Sequence, residues 1–235
     1  MIETQLTRVF ELTHPIISTP MAKAAGSTLT AAMTRAGGLG LIGGAYCDGD
    51  WIEAQFAAAG NEAVDYRLIT WALAENPGVL DQVLAHAPRA VFLSFADPAP
   101  FAPVIAEAGV PLICQVQTLC DSQRAAEVGA TVIVAQGSEA GGHGEARATM
   151  TLVPEVADWV AANAPDVILV AAGDIADGRG LAAALMLGTD GVLVGSRFWA
   201  SDEALVPDTM QATAIAASGD GTIQSKVMDV ARRLN

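Results

Sequence analysis

The sequence has 235 residues, 52% of them apolar and 16% charged, and a net charge of −14 from 26 acidic and 12 basic side chains. So acidic a balance argues against a nucleic-acid surface or an anionic membrane as the main partner, and no apolar run reaches the roughly 18 residues that a spanning helix needs. The length suits one large core without a linker, so residues 1–235 are expected to form a single domain.

The opening Met1-Ile-Glu-Thr-Gln5 lacks the basic start and apolar stretch of a secretory leader, which predicts a cytoplasmic location. Eight short apolar runs then recur: His14–Ser18, Leu39–Ile42, Arg67–Trp71, Ala90–Ser94, Val110–Gln115, Thr131–Ala135, Val167–Ala171 and Gly191–Val194. Helix signals separate them, as at Ser27-Thr28, Asp81–His86, Ser122–Val128 and Asp177–Leu187. Several joints repeat one pattern, a glycine cap followed by a strand, as in Ala108-Gly-Val-Pro-Leu-Ile113 and Leu187-Gly-Thr-Asp-Gly-Val192. Eight βα units predict an α/β fold of the TIM (β/α)8 type; the alternative, an open doubly wound sheet, more often shows about five to seven strands.

Gly38-Leu-Gly40-Leu-Ile-Gly43 matches a dinucleotide fingerprint in letters but not in order. A helix ends before these glycines and a strand runs through them, the reverse of what the fingerprint requires. They are read as a helix cap and a strand whose exit, Gly43-Gly44, leaves room at the top of the barrel. Cys47, Cys114 and Cys120 show no ligand or disulfide spacing and are read as small hydrophobes, so no metal site is expected. His14 falls at the start of the first strand and His86 at a helix end, where a cation suits the dipole. The Arg232-Arg233 pair is read as a solvated tail. Lys23 and Lys226 are the only lysines.

The richest segment is Gln136-Gly-Ser-Glu-Ala-Gly-Gly-His-Gly-Glu145, directly after the sixth run. Its glycines let backbone approach a ligand, and His143 with Glu139 offers a proton acceptor and an orienting carboxylate. Taken alone it reads more readily as a tight turn whose His143 and Glu139 face water. In a barrel, however, this loop opens at the reactive face. Thr70, Gln115 and Gln136 end neighbouring strands there, and Ser18-Thr-Pro-Met-Ala22 ends the first. The loops Ala171-Ala-Gly-Asp-Ile-Ala-Asp-Gly-Arg179 and Gly195-Ser-Arg-Phe198 offer small residues to a phosphate. Arg179 and Arg197 each read equally well as phosphate partners or as surface ion-pair residues.

In chain order, Pro20-Met-Ala22, Ala36-Gly-Gly-Leu-Gly40, Gln136–Gly144, Ala171-Ala-Gly173, Ala176-Asp-Gly-Arg179 and Gly195-Ser-Arg-Phe198 resemble the FMN-dependent nitronate monooxygenases. The Glu-Ala-Gly-Gly-His element is shared with flavin-dependent enoyl-ACP reductases of the same superfamily. The resemblance implies a TIM barrel with FMN across its mouth. The phosphate would meet Gly173, Asp174, Gly195 and Ser196, and the ring would meet Pro20, Met21, Ala22, Thr70, Gln115, Gln136, Gly141 and Gly142. His143 matches the catalytic histidine. The implied reaction oxidises an alkyl nitronate, or the nitroalkane, with O2 to a carbonyl compound and nitrite; a homo-oligomer is left open.

Two departures stand out. Asp174 replaces the glycine usual in the Gly-Gly-Ile pattern, and it is read as adopting left-handed backbone and capping the next helix. Many relatives also continue well beyond the eighth strand, so the cover over the site is expected to be shorter. Two other functions fit the same motifs: NAD(P)H-dependent flavin reduction of an enoyl thioester or quinone, and a flavin-binding barrel without catalysis.

Overall fold

Helix and strand alternate along the chain as the apolar runs require. The computed structural model describes residues 2–44, 46–60, 62, 64–225 and 227; Lys226 and the Arg232-Arg233 pair lie outside these. Helix α1 (Gln5–Val9) precedes β1 (Ile16–Ser18), α2 (Ser27–Arg35), β2 (Leu41–Gly43) and α3 (Gly49–Ala59). Strand β3 (Asp65–Ile69) is followed by α4 (Thr70–Glu75), α5 (Gly78–Ala85), β4 (Val91–Ser94) and α6 (Ala102–Glu107). Next come β5 (Leu112–Val116), α7 (Leu119–Glu127), β6 (Val132–Gln136), α8 (Thr149–Asn163), β7 (Ile168–Ala172) and α9 (Gly178–Met186). Strand β8 (Gly191–Val194), α10 (Ser196–Trp199) and α11 (Asp208–Ala216) complete the order.

The eight strands pair in parallel in the order β1-β8-β7-β6-β5-β4-β3-β2. Leu39 closes the ring, because its N–H donates to the Ile16 carbonyl and its carbonyl accepts from Ser18, both at 2.9 Å. The fold is therefore the expected TIM barrel. Period-2 alternation sorts each strand. Phe92, Ile113, Val132, Val134, Ile168, Val170 and Leu193 fill the interior, while Leu93, Cys114, Ile133 and Leu169 face the helices. Leu6, Phe10 and Leu12, from α1 and the turn after it, join the interior cluster. Asp190 ties α1 in place by accepting from Gln5 N–H (3.1 Å) and Leu169 N–H (3.2 Å).

Three expectations need correction. The third strand lies two residues earlier than its apolar run suggested, since it starts at the charged Asp65 and Thr70 already opens α4. The space at Gly43 and Gly44 is taken by protein backbone: a Cβ on Gly43 would stand 2.2 Å from the Met21 carbonyl, and one on Gly44 2.1 Å from that of Arg67. Cys47 and Cys114 are buried as expected, but Cys120 is exposed in the first turn of α7. The fingerprint-like glycines do follow a helix and enter a strand, so they form no dinucleotide loop.

Candidate active site

The C-terminal positions of the interior rows change from apolar to polar. Arg67 of β3, Ser94 of β4, Gln115 of β5 and Gln136 of β6 sit on adjacent strands, with Ser94 in register with Gln115. They form an arc over the apolar interior. Arg67 is only 7% exposed; its Nε donates to Ser94 Oγ (2.8 Å), and its guanidinium carbon lies 5.1 Å from the centre of the Phe95 ring. Burial pulls its pKa down to about 10, so it stays charged at neutral pH.

The glycine-rich loop begins where β6 ends, and the arc holds it. Gln115 Nε2 donates to Gln136 Oε1, while Gln136 Nε2 and Gln117 Nε2 both donate to the His143 carbonyl at 2.9 Å. The half-buried His143 ring packs edge-on against Phe95, with 5.1 Å between centres and 82° between planes. Phe95 and Ala96 take φ of 63° and 140°, conformations that non-glycine residues adopt at a cost of about 1–3 kcal/mol each. That turn places the Phe95 ring between Arg67 and His143.

Glu139 does not orient His143. Its carboxylate accepts from Thr149 N–H (2.9 Å) and Thr149 Oγ (2.8 Å), because the N-cap of α8 is Ala148, which has no side-chain acceptor for these first-turn donors. Burial pushes the Glu139 carboxyl up, but the bonds from Thr149 and Ser138 outweigh it and hold it below the usual carboxylate range. The loop is thereby pinned to a helix. Gln224, beyond α11, reaches back to it and donates to the Ser138 carbonyl at 2.6 Å.

The remaining predicted positions divide into groups. Thr70, the first residue of α4, is 2% exposed, and its hydroxyl has no hydrogen-bond partner among the described residues. Pro20 is buried, Ala22 exposed, and Met21 packs against Ala25, Leu29 and Ala204. Gly141 and Gly142 are exposed, and no atom lies within 4 Å of a Cβ built on either. Gly173 (φ 130°) lies against the glycine-rich loop, since its Cβ would stand 3.5 Å from Ala140 N and 3.6 Å from Gly137 N. Gly195 lies beside Thr19, 3.3 Å from its Oγ by the same measure. The N–H groups of Gly173, Asp174, Gly195 and Ser196 donate to no acceptor among the described residues.

Asp174 adopts the left-handed backbone expected of it, φ 55°, but it does not cap α9. Asp177 does, accepting from Arg179 N–H (2.9 Å) and Gly180 N–H (3.2 Å), because it directly precedes the helix and Asp174 lies too far back. Arg179 pairs with Asp177 at the surface, while Arg197 is exposed in the first turn of α10. His86 closes α5, stacks on Phe56 at 4.1 Å and meets Glu53 at 3.1 Å, far from any reactive role. Among the described residues no group of three or more His, Cys, Asp or Glu could hold a metal, and no helix is long and apolar enough to cross a membrane.

Arg67, Ser94, Phe95 and Gln117 are additions that sequence reasoning passes over. The available signal was a cation in a run expected to form a barrel strand, where both faces are buried. Phe95, Gln115 and Gln117 also border a cavity of about 210 Å³, but Leu93, Cys114 and Ala125 line it as well and His143 does not, so it opens toward the helices flanking β4 and β5.

Comparison with known proteins decides the family. The nitronate monooxygenase family model matches residues 61–235. The chain belongs to the nitronate monooxygenase family. A nitronate monooxygenase of Neurospora crassa is 34% identical over 91% of this chain and 68% of its own length. A (3aS,4S,5R,7aS)-5-hydroxy-7a-methyl-1-oxo-octahydro-1H-indene-4-carboxyl-CoA dehydrogenase of Mycobacterium tuberculosis is 33% identical over 97% of the chain, which spans only 64% of that relative. Among solved structures, FabK from Thermotoga maritima superposes with a TM-score of 0.87 at 29% identity, covering 96% of this chain and 72% of that one. The family is thus oxidoreductase in kind, and the relatives of this chain are named for more than one substrate. Within this barrel, the Glu139-to-His143 loop stands at the C-terminal mouth, where barrel enzymes carry their chemistry.

Proposed function

We propose that this protein is an FMN-dependent oxidoreductase that converts small alkyl nitronates, and the nitroalkanes from which they form, to carbonyl compounds and nitrite. The observation that carries this reading is the seating of His143. Its half-buried ring packs edge-on against Phe95 at the barrel mouth, and Gln136 and Gln117 hold the residue by donating to its backbone carbonyl.

The residues present fit an FMN. The orphaned hydroxyl of buried Thr70 calls for a polar partner at the mouth, and four N–H groups, from Gly173, Asp174, Gly195 and Ser196, are free to donate to a phosphate. Pro20, Met21, Ala22, Gln115, Gln136, Gly141 and Gly142 would border the ring. FMN, when bound, supplies the electron acceptor for nitronate oxidation and a route to dioxygen.

The protein's own part is to bind, orient and move a proton. His143 removes the α-proton of a neutral nitroalkane, for which a nitronate has no need. Gln136 and Gln117 fix the backbone that carries the ring. Glu139, committed to α8, keeps the glycines of the loop from collapsing onto the mouth.

His143→Asn tests the reading. Turnover of neutral nitroethane, followed as nitrite release, is expected to fall by about a hundredfold or more, while ethyl nitronate is still oxidised at a similar rate. Equal loss with both substrates would remove proton abstraction from the role of His143. The similarity to a carboxyl-CoA dehydrogenase favours a second reading, redox chemistry on an acyl thioester. NAD(P)H consumption that depends on an enoyl-CoA would support that reading instead.

A further inference from the structure

Arg67 is an anomaly that the proposed chemistry does not use. It sits on an interior position of β3, above an apolar plug that includes Leu41, Phe92 and Ile113. Its Nε is bound to Ser94 Oγ, yet neither terminal nitrogen donates to an acceptor among the described residues, and no carboxylate is among the charges acting on it. Buried arginines are ordinarily paired, since a lone charge taken out of water is costly. A structural role would be served by a matching carboxylate, and β3 has one elsewhere: Asp65, two residues away, pairs with Arg89 instead.

We propose that Arg67 is the anion-binding residue of this site, and that it takes a small planar monoanion with two oxygens on one atom, a nitronate or a carboxylate, through its two terminal nitrogens. Three observations converge. The guanidinium fork matches such an anion bidentately. Ser94 Oγ fixes the third nitrogen, which leaves the two terminal nitrogens as the donors not engaged among the described residues. The Phe95 ring, on its strained turn, touches both the guanidinium and His143, which puts the anion site and the proton acceptor on one side chain.

The choice of nitronate over carboxylate rests on the function proposed above; the anion site itself does not. When His143 takes the α-proton of a neutral nitroalkane, the C–H electron pair moves onto the nitro group. A nitronate and an imidazolium result, and Arg67 receives the negative charge.

Calorimetric titration of the full chain, with and without added FMN, tests this with propionate as probe. Parent protein is expected to bind propionate; Arg67→Gln is expected to weaken that binding at least tenfold and Arg67→Lys to recover part of it. A thermal melt accompanies each variant. Removing a lone buried charge is expected to leave the melting temperature of Arg67→Gln unchanged or raised, whereas loss of a structural group would lower it. Propionate affinity equal in parent and Arg67→Gln, or no binding to the parent, overturns the proposal, as does a lowered melting temperature with no recovery in Arg67→Lys. Anaerobic propyl nitronate separates the two readings. Arg67-dependent propionate binding with no nitronate oxidation keeps the anion site and rejects the nitronate, whereas nitronate oxidation with an unchanged KM in Arg67→Gln rejects the anion site alone.

Discussion

Asp65 and Asp174 show how differently one side-chain type is used in this barrel. Asp65 is fully buried and accepts from Ala90 N–H (2.9 Å) and Arg89 (3.1 Å). Burial outweighs these partners and raises its pKa from 3.8 to about 6. A carboxyl whose folded pKa is raised contributes stability that is fully present below its unfolded pKa and lost as pH rises through the folded one. The parent should therefore lose on the order of 3 kcal/mol relative to Asp65→Asn between about pH 4 and pH 6. Melts of both proteins across that range would show it, and parallel curves would contradict it.

Asp174 is exposed and left-handed. If its N–H serves a phosphate, its carboxylate is close enough to repel one by about 1 kcal/mol in water. Asp174→Gly should then tighten FMN about fivefold by fluorescence titration and also relieve backbone strain. An unchanged affinity would place the phosphate away from this loop.

At the level of elements, the eight strands were legible because apolar runs bounded by glycine caps report buried parallel strands directly. The exception is informative. The charge on Asp65 makes the strand start look like loop, and only its tertiary setting makes it strand, so the run was read two positions late. His143, Gln115 and Gln136 were legible as one constellation because each ends or follows a strand on the same face. Phe95 was not, since its contact with Arg67 and His143 depends on a turn that no local propensity favours.

The role of Glu139 was misread for a similar reason: whether a loop carboxylate faces a histidine or a helix start is set by where α8 packs. Its capping makes a prediction for the element. Glu139→Ala should cost about 1 kcal/mol and speed hydrogen exchange in the first turn of α8, while Glu139→Gln should lose less. Unaltered exchange at Thr149 would mean that the helix start is held otherwise.

For the whole molecule, the parallel ring divides the work between two ends. At the N-terminal end Leu6, Phe10 and Asp190 anchor α1 and exclude water; at the other, the interior rows end in Arg67, Ser94, Gln115 and Gln136. Stability is thereby concentrated away from the mouth, which is free to hold a strained turn and, among the described residues, a cation without a carboxylate partner and an orphaned hydroxyl. Gln224 brings the segment beyond α11 back over the glycine-rich loop, so some cover for the mouth comes from this chain itself.

On the reading proposed above, this mouth couples a flavin to nitronate oxidation. Anaerobic titration of the FMN-loaded protein with propyl nitronate, followed by the visible flavin absorbance, tests it most directly. Bleaching of the flavin with each addition, reversed on admitting air with release of nitrite, is the predicted result; a bound flavin that stays oxidised throughout would contradict it.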